Sequence, residues 1–407
     1  MPPRSKKDLE AAAAAAGAAA ISNPNSPLLR AAGAMDKVLK TSDWRVNLNK
    51  DSFAQALPHI PTGSVTIDYL LGGNPNKFGV RTCPGLPRGR IVQAYGHESC
   101  GKTTLALTVA ASVCKAGGTV VFIDYENAIS VGYAASLGVP VEDPSRFLLS
   151  QPNTLEDGFK IIYAMASAGV DLIVIDSIGA AIPETVAETS LDEMGKQQRV
   201  GLLAQKWSQF LPLMRDRLRK SNTACFAIAQ IREAINTMGH GDSTTVQGGR
   251  AWKFYPDIRM KLARIQQETS KQYNAVTHQV EDQKASGKIK VTIEKCKVSD
   301  AQGKEGIFYI RYGSGIDDLR SFIEIAIAHG VIKKGGAGWY VWTRPDGSEL
   351  KVQGLDKLAG EITKAKAVGE LEAAVTSFLA GSKVELVTDD EDGDGPDDDN
   401  LLDGLNM

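Results

Sequence analysis

Gly96-His97-Glu98-Ser99-Cys100-Gly101-Lys102-Thr103 fits the pattern G-x-x-x-x-G-K-[ST]. The pattern carries meaning only between a strand and a helix, and both are expected here: Ile91 to Tyr95 is a short apolar run, and Thr104 to Ala116 has helical character. Glycine at 96 and 101 lets the backbone curl without Cβ clashes, so successive N–H groups can face inward at a helix N-terminus, where the helix dipole also favours an anion. Lys102 then offers a point charge to the outer phosphates, and Thr103 a hydroxyl to a magnesium ion that bridges them. A glycine turn beside an exposed lysine is the bland alternative, and the strand–loop–helix setting speaks against it. Residues 96 to 104 are therefore read as the cradle of a nucleoside triphosphate.

Outward from this stretch, apolar runs and helical segments alternate. Thr119 to Asp124, Leu172 to Asp176, Ala224 to Ala229 and Ile258 to Leu262 read as strands, and Leu155 to Ala168 has helical spacing. This order predicts an α/β fold with a mostly parallel sheet flanked by helices, whose ligands collect at the carboxyl ends of the strands. Three of those ends carry chemistry. Asp176 closes an apolar strand, the setting of a Walker B carboxylate that holds magnesium through water. Glu126, just past Asp124, is placed to polarise an attacking water, and Gln230 to sense the γ-phosphate. Each alone is a weak signal, since an acid at a strand end is usually part of a turn; beside the phosphate loop they describe an ATP hydrolysis site.

The whole chain sets bounds on the reading. Its 407 residues, 43% hydrophobic and 23% charged, have the balance of a globular protein of two or three domains. No apolar run approaches a membrane span, and the alanine-rich start lacks the apolar core of a secretory signal, so no membrane association and a cytoplasmic location are expected. Cys83, Cys100, Cys114, Cys225 and Cys296 form no C-x-x-C pair, which indicates neither a disulfide framework nor a zinc site. Residues 389–403 hold nine acids and no Lys or Arg, leaving 46 basic against 39 acidic side chains, a net of +7, on residues 1–388. Such a tail is either a solvating end or a regulatory element. Residues 1–59 read as an amino-terminal extension, poorly ordered over 1–34, with a short amphipathic helix between Met35 and Leu57.

The motifs together are more specific than a P-loop. Gly96 through Thr104, Phe122-Ile123-Asp124-Tyr125-Glu126, Val174-Ile175-Asp176-Ser177, Gln230-Ile231-Arg232, Gly248 through Tyr255 and Lys295-Cys296-Lys297 resemble the bacterial or phage RecA recombinase family, over about Ile60 to Gly369. The resemblance implies a RecA-type ATPase core at 60–313, a small α+β carboxyl-terminal domain at 314–380 that collects duplex DNA, and an acidic disordered tail at 381–407. It implies ATP and Mg2+ as cofactors, single- and double-stranded DNA as partners, a homo-oligomeric helical filament, and single-strand-binding or loader proteins as further partners. Glu126 would be the catalytic glutamate and Tyr133 would stack on adenine. Lys295 and Lys297 would reach the neighbouring protomer's phosphates. DNA would meet a first loop at Glu188 to Val200 and a second at Glu233 to Gly249, with Arg232, Thr244, Thr245, Gly248, Gly249 and Arg250 as contacts. The Gly/Ser/Thr-rich run Gly239 to Gly249 has too little apolar content to pack a core, and its N–H groups suit sequence-independent phosphate binding.

Several positions depart from the family pattern. His97 and Cys100 stand where proline and serine are usual, which is expected to tune affinity or redox sensitivity. Asn127 and Ser130 replace a histidine and an acid, and Asn74 to Pro84 has no matched counterpart. Trp339, Tyr340 and Trp342 are read as core of the small domain, with Lys333 and Lys334 as its DNA contacts. Two rival functions use the same parts: a ring-forming motor, and an ATP-gated scaffold that only coats DNA. The Lys-x-Lys pair and the double-glycine loop argue against the first, Glu126 and Gln230 against the second.

Overall fold

The computed structural model describes residues 27–40, 55–188, 201–233, 244–274 and 279–381. The chain divides into two units, residues 1–53 and 54–407. In the first, helix α1 spans Pro27–Leu39, so the helix begins at Pro27 rather than at Met35. Proline in the first turn loses no hydrogen bond, because that N–H has no intrahelical acceptor, and Leu28-Leu29-Arg30-Ala31-Ala32 is rich in helix formers. Pro27 is thus a start signal for the helix. Residues 1–26 and the acidic tail lie outside the described residues.

In the second unit, β1 (His59–Ile60) and β2 (Leu86–Pro87) pair around helix α2 (Val65–Gly72). There follow β3 (Ile91–Gly96), α3 (Lys102–Lys115), β4 (Val120–Asp124), α4 (Val131–Ser136), β5 (Phe147–Ser150), α5 (Leu155–Ala168) and β6 (Leu172–Asp176). Next come α6 (Glu184–Ala187), α7 (Leu202–Ser221), β7 (Ala224–Glu233), β8 (Thr244–Val246) and α8 (Ala251–Phe254). Strands β9 (Ile258–Asn274), β10 (Gln279–Cys296), β11 (Glu305–Arg311) and β12 (Gly315–Ile316) close the sheet. Its order is β12-β11-β10-β9-β3-β7-β6-β4-β5, with β8 appended to β7. Strands β9 through β5 are mutually parallel, and β10, β11 and β12 are antiparallel additions.

The strand alternation divides the apolar residues between two faces. Val92, Ala94, Phe122 and Val174 join one buried cluster with Leu105 and Val109 of α3. Ile91, Tyr95, Ile123 and Ile175 join the other with Ile162 of α5 and Trp207 of α7. Burial on both faces is why these strands read as unbroken apolar runs. Beyond the sheet, β9 and β10 continue as a two-stranded arm: β3 pairs β9 only as far as Leu262, and β11 pairs β10 only from Ser286.

The carboxyl-terminal portion comprises α9 (Asp318–Ala328), β13 (Ile332–Lys334), β14 (Trp339–Thr343), β15 (Glu349–Gln353), α10 (Leu355–Lys364) and α11 (Val368–Gly381), with a core of its own around Ile323, Trp342, Leu358 and Leu371. Because β12 still pairs with β11, the main sheet ends at Ile316 rather than 313. The aromatic expectation divides as well. Trp342 is buried, but Trp339 is 39% exposed, with the Lys351 ammonium 5.8 Å from its ring centroid. No helix among the described residues is long and apolar enough to cross a membrane.

Gly360 lies inside α10 with nothing within 4 Å of the position a Cβ would take. Gly360→Ala is expected to stabilise the chain by about 1 kcal/mol through lost unfolded-state entropy and better helix propensity. The check is a higher thermal or urea midpoint of the full chain; a lowered midpoint contradicts it.

Candidate nucleotide and DNA site

The phosphate loop connects β3 to α3. Gly101 has φ of 85°, and a Cβ there would lie 2.1 Å from Ile310 Cδ1 on β11. A Cβ on Gly96 would lie 2.2 Å from the Leu262 carbonyl oxygen on β9. Both glycines are thus dictated by close approach of the loop to the sheet, and one also by a left-handed backbone. His97, Glu98 and Ser99 are exposed, whereas Cys100 is 1% exposed and burial pushes its thiol above the ordinary range. The thiolate is the reactive form, so the redox sensitivity expected of Cys100 is not supported by its surroundings. Lys102 is buried and its Nζ donates to the carbonyls of His97 at 2.7 Å and Gly96 at 3.2 Å. Thr104 Oγ1 and Tyr133 Oη lie 3.0 Å apart, which places Tyr133 over the first turn of α3.

The register of β4 and β6 sets Asp124 level with Asp176. Thr103 Oγ1 donates to Asp176 Oδ2 at 2.7 Å. Burial is the main cause pushing the Asp176 carboxyl up to about 6; the Thr103 hydroxyl and the Lys102 charge oppose the shift, and Glu126 and Asp124 add to it. A buried carboxylate so poorly compensated, beside the loop threonine, suits a bound cation. The residues fit magnesium: Thr103 would offer its hydroxyl and Asp176 would hold the ion through water. Among the described residues no cluster of three or more His, Cys, Asp or Glu is arranged to hold a metal alone.

Glu126 Oε1 accepts two hydrogen bonds, from Gln230 Nε2 at 2.8 Å and from Ser177 Oγ at 2.5 Å. Asp124 plays a scaffolding part, accepting from the Glu126 N–H at 3.2 Å, the Ile129 N–H at 3.3 Å and Gln151 Nε2 at 3.1 Å. Ser177 is part of the Val174–Ser177 motif, but its spacing in the sequence does not announce that it is a hydrogen-bond partner of Glu126. A cavity of about 700 Å³, lined by Thr108, Ser112, Leu137 and Arg146 among others, contains no phosphate-loop residue. The chemistry, not cavity size, locates the site.

The described ends of the second loop pair antiparallel with each other. Ile231, Arg232 and Glu233 of β7 pair with Val246, Thr245 and Thr244 of β8, and the Gln247 N–H donates to the Gln230 carbonyl at 3.1 Å. The expectation that Gly239 to Gly249 packs against nothing is therefore corrected at its carboxyl end. Val246 joins the core, and Gly248 is buried, where a Cβ would lie 2.8 Å from Ile178 Cδ1 and 2.9 Å from Trp252 Cδ1. Gly249 has no room either, its Cβ position lying 2.3 Å from that of Ala204. Packing accounts for the double glycine, and Arg250 beside it is exposed. Residues 189–200, including Val200, and residues 234–243 lie outside the described residues.

Lys295 and Lys297 are at the other end of the sheet. Lys295 pairs with Arg259, which is level with Gln93, three residues below Gly96 and so about 10 Å from the phosphate loop along the strand. Its Nζ donates to the carbonyls of Phe254 at 2.8 Å and Lys253 at 3.0 Å, closing the end of α8. Burial, then the charges of Lys297, Arg259 and Arg215, press its ammonium down to about 8, with Asp257 opposing. Lys297 is exposed.

A parallel sheet with a phosphate loop, a strand-end aspartate and a strand-end glutamate defines a P-loop ATPase core. Residues 35–317 match the family model described as the RecA N-terminal domain. The chain is 36% identical over 373 residues to Protein RecA of Nitratidesulfovibrio vulgaris (strain DP4), covering 88% of this chain and 95% of that one. It is 36% identical over 337 residues to Protein RecA of Thermus aquaticus, covering 82% and 89%. The chain belongs to the RecA family. A crystal structure of the RadB recombinase is similar with a TM-score of 0.43 and 22% identity over 64% of this chain and 99% of its own; the assignment rests on the sequence relatives.

Gly101→Ala is expected to weaken ATP binding roughly tenfold or more, because alanine adds left-handed strain and drives a methyl into Ile310. Calorimetric titration with a slowly hydrolysed ATP analogue measures it. Affinity equal to wild type would show that the loop relaxes freely away from β11.

Proposed function

We propose that this RecA-family DNA recombinase polymerises on single-stranded DNA, hydrolyses ATP at the interface between protomers, and uses the nucleotide state to control its hold on DNA during pairing and strand exchange. The supporting observation is Gln230. Its side chain bonds Glu126 at the hydrolysis site, and its carbonyl holds the Gln247 N–H at the base of the second loop's hairpin. A γ-phosphate that draws the Gln230 amide toward itself acts on the root of the DNA loop without any intermediary.

Each residue then has a task. Lys102 exchanges its loop carbonyls for phosphate oxygens, Tyr133 lies beside the base, and Glu126 accepts from the attacking water. Thr103, and Asp176 through water, would hold magnesium, which would supply charge neutralisation at the phosphates. Lys295 and Lys297, remote from their own phosphate loop, serve the site of the next protomer. Arg232, Thr244, Thr245, Gly248, Gly249 and Arg250 would contact DNA phosphates, while base pairing between strands would read sequence.

A strand-exchange assay run with ATP and with a slowly hydrolysed analogue tests this reading. Lys102→Ala is expected to abolish exchange, DNA-stimulated turnover and nucleotide-dependent DNA binding together. Exchange that survives in this variant overturns the proposal.

The pH dependence follows from Lys295. Its folded value of about 8 lies below the ordinary lysine value of 10.5, so the ammonium is present below pH 8 and is lost as pH rises through that value. ATP-dependent assembly should therefore fall between pH 7.5 and 9. Lys295→Arg, which keeps its charge throughout, should flatten the fall. Light scattering of assembly across this range measures it, and identical profiles for the two proteins contradict the trans role of Lys295.

A further inference from the structure

We propose that Ser177 is a positioning residue for ATP hydrolysis: it holds the Glu126 carboxylate when Gln230 leaves that carboxylate for the terminal phosphate. The inference rests on the reading of Glu126 as the group that polarises the attacking water.

The two donors on Glu126 differ in kind. Ser177 is fully buried and directly follows β6. The Ile178 N–H beyond it donates to the Ile228 carbonyl at 2.9 Å, and the Tyr125 N–H beside Glu126 donates to the Asp176 carbonyl at 2.7 Å. Both ends of the Ser177–Glu126 hydrogen bond are thus pinned to the sheet. Gln230 is half-buried on a longer side chain, at the root of the hairpin.

The roles proposed for Glu126 and Gln230 make opposite demands. Arrival of the γ-phosphate is when the glutamate must be best ordered, and it is also when the sensor withdraws a hydrogen bond from Oε1. A glutamate carries three rotatable bonds, and loss of its tether restores freedom that the transition state must then remove. Ser177 answers this conflict, because its hydroxyl has no competing role at the phosphate. Both donors engage Oε1, which leaves Oε2 as the oxygen to accept from water. Ser177 acts through Glu126 and touches no reacting atom.

The test uses the full chain with single-stranded DNA. Ser177→Ala is expected to lower kcat for ATP about tenfold, the scale of a lost hydrogen bond to a charged group, with KM and affinity for a slowly hydrolysed analogue unchanged. Glu126→Gln should abolish steady turnover, and adding Ser177→Ala to it should leave the residual single-turnover rate unaltered. Three outcomes overturn the proposal: full turnover in Ser177→Ala, loss of analogue affinity in parallel with turnover, or an equal fractional loss in both backgrounds, which marks a merely structural serine. Full turnover in Glu126→Gln would instead refute the reading of Glu126.

Discussion

The parallel pairing of β3 between β7 and β9 is the constraint from which the site follows. It sets Gly96 level with Gln230 on one side and Leu262 on the other, while the pairing of β4 with β6 sets Asp124 level with Asp176. Because β6 pairs β7 with Ile175 opposite Ala227, Asp176 stands about two residues short of Gln230, and these residues converge on one end of the sheet without sharing a height. A slip of one residue in any of these strands would turn its buried faces inside out, and burial on both sides makes that too costly. The short contacts of Thr103 with Asp176 and of Gln230 with Glu126 are products of that register.

Electrostatics differ at the two ends of the sheet. At the carboxyl ends, Asp124, Glu126 and Asp176 crowd together, relieved by hydroxyl, amide and N–H donors and by the Lys102 ammonium. At the amino ends, Lys295 is partly buried among the charges of Lys297, Arg259 and Arg215, opposed by Asp257, and burial first, then these charges, lower its pKa. Neither crowd is relaxed by itself. On the reading proposed above, magnesium and the triphosphate relieve the first, and the triphosphate of an adjacent protomer relieves the second, so assembly lowers the electrostatic strain of both partners.

The parts of the fold legible in the sequence were those where local pattern and tertiary burial agree. Leu155–Ala168 and Leu172–Asp176 have the bounds their periodicity gave, and Ile91, Val120 and Ala224 start strands that were visible as apolar runs. The β9–β10 arm was not, because Gln266 to Lys284 is polar on both strands and resembles a loop until its partner is known. In the site, the phosphate loop and the strand-end residues carry their chemistry in their type and spacing. Which of them meet is not written there: Ser177 and Gln230 reach Glu126 across 51 and 104 residues of sequence. Gly248 and Gly249 were read for their N–H groups, yet what holds them is the space left by Ile178, Trp252 and Ala204, a constraint no spacing reveals.

The contact of Gly101 with Ile310 has a geometric corollary. The loop that would grip one nucleotide rests on β11, β11 is hydrogen-bonded to β10, and β10 ends at the lysines that would grip the next. Two successive nucleotides in a filament would then be separated by a short, rigid piece of sheet belonging to a single protomer. On the proposed reading, the repeat of such a filament would be set in part by β10 and β11, and bound DNA would have to follow that spacing.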